Sequence, residues 1–241
     1  MTTPHARTEI LVGTDGVRRL HDKTVLIAGL GGVGGYCAEA VARAGIGHLI
    51  LLDHDTVAPS NLNRQLLALH STLGRAKTAV MAERLRDINP ELHITIAAHF
   101  LHPSQGEAFL APFAPDFLAD CIDSIGCKAA LVRAAQQRGI GVISAMGAGN
   151  RLDVRRVRIL PLADTIGCPL AREMRRVLRG RGGSLAYPVV FSDEVPRKPL
   201  PHQPVSGTPG RARAVNGTIS YMPALFGIMM AGYIIERLLT D

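Results

Sequence analysis

The sequence predicts an α/β fold in which helices cover both faces of a mostly parallel, doubly wound sheet. Short apolar runs typical of buried strands alternate with helical segments from residue 25 onwards. A glycine-rich turn, G-x-G-x-x-G at Gly29, Gly31 and Gly34, joins the first strand to the first of the alternating helices. Two further strands end at Asp53 and Asp123, and the carboxyl ends of parallel strands meet at one edge. These features indicate a Rossmann-like arrangement with one ligand site at that edge.

The elements of the first half follow from this alternation. An N-terminal helical arm at 5–22 precedes the first strand. Apolar runs predict strands at 25–28, 48–52, 92–97, 116–122 and 141–145. The segments between them predict helices at 34–44, 78–88 and 128–138.

The second half changes in character and predicts a C-terminal strand and helix extension. We expect a strand at 151–159 with arginines on one face, a helix at 169–178 and a strand at 217–221. The segment at about 192–213 contains five prolines and four basic residues, which predicts a mobile loop. The whole chain is expected to form one domain, with a nucleotide-binding half (1–150) and a substrate half (151–241).

The segment 214–235 carries no charged residue and is nearly long enough to cross a bilayer. Polar residues and three glycines interrupt it, however, and Pro223 fits the first turn of a helix. This pattern favours a buried core helix or a dimer-interface helix over a membrane span. The N-terminus also lacks the apolar core of a signal peptide.

The composition is that of a globular chain with an excess of positive charge. The 241 residues carry a net charge of +7, which suggests an anionic partner. None of the four cysteines forms C-x-x-C, which argues against a four-cysteine zinc site. No disulfide framework is indicated, so a reducing cytoplasm fits.

Beyond the glycine turn, the residues that follow Asp53 are informative. Asp53 stands where a carboxylate can hold a ribose hydroxyl. The polar stretch SNLNRQ at 60–65 and Lys77 come next. A nicotinamide enzyme has no need of Arg64 and Lys77 there, whereas a nucleoside triphosphate carries β- and γ-phosphates whose charge must be neutralised.

Six motifs in order resemble the ThiF/MoeB superfamily of adenylating enzymes, which are related to ubiquitin activators. They are GLGGVG at 29–34, DHD at 53–55, SNLNRQ at 60–65, Lys77, INP at 88–90 and CIDS at 121–124. The resemblance implies that ATP, with Mg²⁺, converts a carboxylate into an acyl adenylate and releases pyrophosphate.

The same resemblance implies roles for individual residues. Asp123 corresponds to the aspartate associated with Mg²⁺, and Asp55 is a weaker candidate for the metal or its waters. Arg7 is all that remains of an N-terminal R-x-x-R motif, and it would act as an arginine finger in the partner subunit of a homodimer. Arg7, Arg64, Lys77 and Asp123 would be catalytic, and the expected nucleotide ligands are Gly29, Gly31, Gly32, Gly34, Asp53, Asp55, Asn61, Arg64, Gln65 and Lys77.

The C-terminal half resembles a narrower family, the tRNA threonylcarbamoyladenosine dehydratases. The matching segments are 165–179, 187–196 and 216–232, and Cys168 departs from the acidic residue expected there. The resemblance implies a tRNA substrate that carries threonylcarbamoyladenosine. AMP would activate its carboxylate, and the carbamoyl group would close a ring and expel AMP. A cysteine desulfurase or other sulfur-relay protein is a further candidate partner.

The arginines of the second half agree with an RNA partner. Nine arginines lie between residues 151 and 181, against three acidic residues. Four of them recur at helical spacing and predict one basic face suited to phosphates: Arg172, Arg175, Arg176 and Arg179. Basic residues of the proline-rich loop would order on RNA, namely Arg197, Lys198, Arg211 and Arg213. A solvated arginine-rich surface is the alternative.

Three other functions compete with this one. An adenylyltransferase for a small carrier protein that ends in glycine would use Cys168 for transfer, although a lone cysteine is more often inert. An ATP-binding scaffold without its own chemistry predicts loss of Arg64, Lys77 or Asp123, and all three are present. A nicotinamide oxidoreductase gives Arg64 and Lys77 no role.

Overall fold

A computed structural model describes residues 4–198 and 216–240 of the chain. Its centre is a seven-stranded sheet in the order β3-β2-β1-β4-β5-β7-β6. Neighbouring strands are parallel except β6, which runs antiparallel to β7. This confirms the predicted sheet. The strands are β1 (Thr24–Ala28), β2 (His48–Leu52), β3 (His93–Ala97), β4 (Phe117–Asp120), β5 (Gly141–Ala145), β6 (Val157–Pro161) and β7 (Pro188–Ser192).

Seven α-helices surround the sheet in the described part of the chain. They are α1 (Ala6–His21), α2 (Gly34–Ala44), α3 (Lys77–Ile88), α4 (Gly106–Leu110), α5 (Ile125–Gln137), α6 (Pro169–Gly180) and α7 (Tyr221–Thr240). The first of these is kinked at Gly13, whose φ of 76° and ψ of 166° are not helical. The N-terminal arm and the predicted helices of the first half therefore exist close to their expected bounds.

The sheet separates two apolar cores, and alternation along the strands decides which core each side chain enters. In β1, Val25 and Ile27 join the core beneath α1, α2, α3 and α7. Leu26 and Ala28 join the core beneath α4, α5 and α6. Because successive strand residues point to opposite faces, a strand buried on both faces is expected to be mainly apolar, as β1 is.

Helix α7 is long and apolar enough to cross a membrane by length and composition alone. In the structure its Met222, Phe226, Met230 and Ile234 are fully buried in the core. At Gly227 an added Cβ would lie 2.3 Å from the Val33 carbonyl oxygen, so α7 packs closely on the start of α2. This packing favours the predicted core helix.

Of the two predicted strands, the one at 151–159 is confirmed only from residue 157 onwards, and the one at 217–221 was wrong. The segment predicted at 151–159 begins as a 3₁₀ turn at Val154–Arg156 because the Asp153 carboxylate accepts the Arg155 backbone N–H, and β6 starts only at Val157. Residues 217–221 form no strand; the Gly217 carbonyl instead accepts the Asn150 N–H at 2.8 Å, and α7 begins at Tyr221.

Only part of the predicted loop at 192–213 lies within the described residues. Ser192 ends β7, residues 193–198 have no regular structure, and residues 199–215, which include Arg211 and Arg213, lie outside the described residues. Strand β7 and the short helix α4 were not predicted from the sequence. Strand β7 was missed because its apolar run is short and begins with a proline. It pairs in parallel with β5.

The strand register sets up the site. Ala28 at the end of β1 lies opposite Leu52 of β2 on one side and Asp120 of β4 on the other. The ladder continues past the strand ends, with Gly29 N–H donating to the Leu52 carbonyl at 2.7 Å and Cys121 N–H to the Ala28 carbonyl at 2.8 Å. The glycine turn therefore emerges between the segments that carry Asp53 and Asp123.

Candidate active site

The glycine turn is closed so tightly that side chains are excluded at two of its positions. Gly29 has a φ of 91°, and an added Cβ there would lie 2.9 Å from the Cys121 carbonyl oxygen. At Gly34 an added Cβ would lie 1.8 Å from the Gly29 carbonyl oxygen. This geometry starts α2 at Gly34, with the partial positive charge of the helix N-terminus directed at the turn. The turn is thus built to approach an anion with its backbone.

Asp53 ties this turn to the end of β2. Its Oδ2 accepts the Leu30 N–H at 2.6 Å, and its Oδ1 accepts the Asp55 N–H at 2.8 Å. Each carboxylate oxygen can accept a second hydrogen bond, and the residue remains half-buried. Asp53 is therefore placed to hold the turn and to accept a ligand hydroxyl.

Lys77 is the first residue of α3 and lies beside Asp55. Its side chain is 6% exposed, and its Nζ contacts Asp55 Oδ2 at 2.7 Å. The Lys77 N–H also donates to the Asp55 carbonyl at 3.0 Å. His54 Nε2 contacts the other carboxylate oxygen of Asp55 at 3.3 Å. Because Asp55 is half-exposed, a phosphate can replace it as the partner of the buried Lys77 ammonium.

The stretch 59–65 forms a compact loop in which the three polar site residues have different tasks. Asn61 Oδ1 accepts the Ala58 N–H at 3.0 Å, so this side chain shapes the loop. Arg64 Nη1 donates to the Ser60 carbonyl and to Asn63 Oδ1, which turns it back on its own loop. Gln65 is buried next to Gly31, and its Oε1 has no hydrogen-bond partner among the described residues.

Asp123 and Arg7 are both exposed, and neither makes a side-chain contact to the rest of the described chain. Asp123 lies three residues beyond β4, on the segment whose Cys121 carbonyl borders Gly29. Ser124, and not Asp123, is the N-cap residue of α5. Asp123 therefore stands at the glycine turn without a structural task, whereas Arg7 lies in the first turn of α1 with no link to the site within one chain.

Sequence reasoning missed a buried polar network directly behind Asp123. Lys128 and Asp120 are fully buried, and Lys128 Nζ lies 2.9 Å from Asp120 Oδ2. Ser144 Oγ donates to the same carboxylate at 2.6 Å. Burial raises the pKa of Asp120, while Lys128 and Ser144 oppose that rise. Two features of the sequence could have indicated this network: a lone aspartate in an apolar strand and a lysine on the helix that follows.

The basic face of α6 contains three exposed arginines and not the four predicted. Arg175 was wrongly included, because its Nη1 donates to the carbonyls of Leu162 and Thr165 and so supports the segment before α6. Arg172, Arg176 and Arg179 are exposed. Arg151 also supports the fold and does not face solvent, because it is 3% exposed and donates to the Gly147 and Gly149 carbonyls.

The cysteines offer little reactivity. Cys37, Cys127 and Cys168 are buried, Cys121 is half-buried, and all four are free. Burial raises the pKa of the Cys37 thiol to about 12. Cys168 is 5% exposed at the N-cap of α6. A buried thiol of this kind is a poor candidate for an acyl-transfer nucleophile.

The donor set fits a nucleotide and a hard cation. At the open Gly31 position the nearest side-chain atom is Gln65 Nε2, an N–H donor that can face a ligand oxygen, while the buried Gln65 Oε1 has no partner among the described residues. Asp123 offers an exposed carboxylate, and the ligand atoms of Asp53, His54 and Asp55 lie within 4.8 Å of one another. Carboxylate oxygens suit Mg²⁺, which binds proteins through few carboxylates together with substrate phosphates.

Comparisons with known proteins identify the family and the fold. A model of the ThiF family matches residues 5–241. A tRNA threonylcarbamoyladenosine dehydratase of Bacillus subtilis is 35% identical over 243 residues, covering 98% of this chain and 94% of that protein. The one from Escherichia coli is 35% identical over 153 residues, 61% of this chain and 57% of that protein. A crystal structure of the E. coli dehydratase in complex with ATP has a TM-score of 0.86 at 32% identity, covering 98% and 94% of the two chains.

Replacement of Asp53 by alanine should weaken ATP binding at least tenfold, because the Leu30 and Asp55 N–H groups lose their acceptor and the turn loosens. The free energy of unfolding should fall by about 1–3 kcal/mol, the cost of leaving such groups unpaired. Calorimetric titration with ATP and denaturant unfolding measure both. Asp87→Ala, at an exposed position of α3, is the control and should change neither. Unchanged ATP affinity in folded D53A would contradict this role.

Proposed function

The chain belongs to the ThiF family, and we propose that it is an ATP-dependent enzyme that dehydrates threonylcarbamoyladenosine in tRNA. The observation that carries this proposal is the similarity to the B. subtilis dehydratase, which extends over 98% of this chain and 94% of that protein. A match of this extent includes the C-terminal substrate half as well as the nucleotide half that all adenylating relatives share. The intact set of Arg64, Lys77 and Asp123 favours an enzyme over a scaffold.

The first step consumes ATP and activates the substrate. The threonyl carboxylate attacks the α-phosphorus, pyrophosphate leaves, and an acyl adenylate forms. In this step the glycine turn and the N-terminus of α2 hold phosphate oxygens, and Asp53 accepts a ribose hydroxyl. Lys77 exchanges its contact with Asp55 for one with the departing pyrophosphate, and Arg64 can swing from its loop to assist.

The second step needs no nucleophile from the protein. The carbamoyl group of the substrate attacks the activated carbonyl, AMP leaves, and a ring closes. Because the nucleophile is already tethered to the acyl carbon, positioning supplies much of the rate. The burial of the cysteines agrees with a reaction that forms no covalent enzyme intermediate.

Mg²⁺ is the cation that this donor set would take. Asp123 would hold it, with Asp55 as a weaker candidate, and it would neutralise charge that develops on the phosphate oxygens. His54 is a poor ligand for Mg²⁺, so the cluster at 53–55 is not proposed as a complete metal site on its own.

A homodimer would give Arg7 a role. On α1, next to Arg7, the side chains of Ile10 and Leu11 are 72% and 85% exposed. Large apolar side chains so exposed on a helix suggest a covered surface in the assembled protein. A partner subunit that covers α1 would bring Arg7 towards the partner's phosphate site, where a guanidinium can stabilise phosphate charge.

The exposed arginines of α6 are the proposed tRNA contact. Arg172, Arg176 and Arg179 are spaced by four and three residues and so share one helix face. Arg176 is partly neutralised by Glu173, its Nε lying 2.9 Å from Glu173 Oε2. Arg197 and Lys198 are also exposed, and we propose them as further phosphate contacts. Phosphate neutralisation by such residues gives sequence-independent, salt-sensitive affinity.

Activation of a small carrier protein that ends in glycine is the alternative function. Enzymes of that kind often use a downstream cysteine for transfer, and the burial of Cys168, the one candidate in the C-terminal half, counts against this alternative. A cysteine desulfurase or sulfur-relay partner, and a cytoplasmic location, stay predictions from the sequence.

ATP turnover to AMP and pyrophosphate should require tRNA that carries threonylcarbamoyladenosine. The same tRNA without the modification, and a carrier protein ending in Gly-Gly, should give no turnover. Mass spectrometry of the product nucleoside should show the loss of one water molecule. Turnover with the carrier alone would support the alternative and overturn the dehydratase proposal.

The double variant R172Q/R179Q should bind tRNA more weakly and with less dependence on salt. Each lost phosphate contact should reduce the slope of log affinity against log salt by about one unit. Fluorescence anisotropy at several salt concentrations measures the slope. The matched control is R43Q/R86Q, which removes two exposed arginines from α2 and α3. An equal effect of both variants would indicate a general charge effect and not a tRNA surface.

Arg7→Ala and Lys77→Ala should each abolish turnover, yet their mixture should recover part of it. In a mixed dimer one site receives Arg7 from the K77A subunit and keeps its own Lys77, so that site is complete. The mixture is made by co-expression with two affinity tags, and the heterodimer is purified. An inactive heterodimer would rule out a role for Arg7 in the partner's site.

A further inference from the structure

The buried pair of Lys128 and Asp120 has no part in the reaction steps described above. Both side chains have no exposed surface. A buried ion pair is an inefficient source of stability, because desolvation of the two charges offsets their attraction. Its value therefore depends on what else the two side chains hold.

The Lys128 ammonium uses all three of its N–H donors. Besides Asp120 Oδ2, it donates to the Ile122 carbonyl at 2.9 Å and to the Asp120 carbonyl at 3.3 Å. The Asp120 carboxylate in turn accepts the Ile122 N–H at 3.3 Å. Both polar groups of Ile122 are thus held by one ion pair, and Ser144 fixes the carboxylate from the neighbouring strand.

The residue after this clamped position is Asp123. Its side chain is exposed and is not held by any other described residue, so its location depends on the backbone. The peptide group that joins Ile122 to Asp123 includes the carbonyl that Lys128 holds. One residue earlier, the Cys121 carbonyl packs on the glycine turn at Gly29. The ion pair therefore controls how the Asp123 segment lies against the turn.

We propose that Lys128 is a positioning residue, which holds Asp123 at the glycine turn through the Ile122 carbonyl. Asp120 and Ser144 support it by orienting the ammonium. This inference rests on the proposed function, since Asp123 matters only if the site acts on ATP. Misplacement of a reacting group by about 1 Å can lower a rate on the order of a hundredfold, so a clamp at this point has a measurable effect.

The double variant D120N/K128M, with V132A as its control, separates an effect on positioning from an effect on folding. Lys128→Met keeps the length of the side chain but leaves the Asp120 charge buried and unpaired, which endangers folding. The double variant D120N/K128M removes both charges, and the amide can still accept the Ile122 N–H. It loses the donors to the two carbonyls, and the Ser144 hydroxyl, which now faces the amide N–H₂, must accept a hydrogen bond where it donated one before. Val132→Ala is the matched control, because Val132 is fully buried one turn further along α5 and belongs to the apolar core beneath α4, α5 and α6.

The test combines turnover, hydrogen exchange and a double-mutant cycle. In D120N/K128M we expect kcat to fall on the order of tenfold or more, with faster amide exchange confined to peptides that cover 117–126. V132A should lower Tm and leave kcat unchanged. In the cycle, D120N/K128M should cause little further loss when combined with Asp123→Asn, because both act on the same group.

Three results would overturn the proposal: a wild-type kcat in D120N/K128M, losses that multiply in the cycle with D123N, or unchanged exchange at 117–126. If the wild-type protein shows no turnover with modified tRNA, the proposed function fails separately. Hydrogen exchange and calorimetric ATP binding, which need no tRNA, then decide on the clamp alone. Unchanged exchange at 117–126 or unchanged ATP affinity in D120N/K128M would then overturn it.

Discussion

The close approach of the glycine turn to the ends of β2 and β4 is the constraint on which the rest of the site depends. Gly34 must lie against the Gly29 carbonyl, and Gly29 against the Cys121 carbonyl, with no room for a side chain at either position. This contact fixes where α2 begins and where the segment with Asp123 passes. Asp53 then ties the turn to β2 through the Leu30 N–H. The turn that we propose for phosphate, the carboxylate that we propose for the ribose and the exposed Asp123 are thereby assembled at one sheet edge.

Some lysine and arginine side chains support the fold, and others are available to bind a partner. Lys128 is neutralised and fully buried, and Arg151 and Arg175 support carbonyl groups of neighbouring loops. Lys77 is also buried, but its counterion Asp55 is half-exposed and can be released. Because a net charge of +7 remains on the chain, the cations without a structural task define the surface for an anionic partner.

The C-terminal half extends the fold by two strands and two α-helices in the described part of the chain. Strands β6 and β7 add an antiparallel edge to the parallel sheet. Helix α7 buries its apolar face on α2, the helix that the glycine turn starts. The nucleotide site and the proposed substrate half therefore share one core, and Pro223 of α7 lies close to Gly32 of the turn.

The sequence by itself determined the parallel sheet and the glycine turn, because strand periodicity and a local motif encode them, and it predicts ligand roles for Asp53, Asn61, Gln65 and Lys77. Tertiary structure decided the rest. Whether an arginine on α6 faces solvent depends on which loop packs beneath it, so Arg175 differs from Arg172 although both fit the same helical spacing. The pairing of Asp120 with Lys128 joins a strand to the following helix within a buried space, and only the packing of α5 on β4 brings their charges together. Residues 217–221 have strand-like composition but no neighbouring edge to pair with, since Asn150 and Asn63 take up their carbonyls instead.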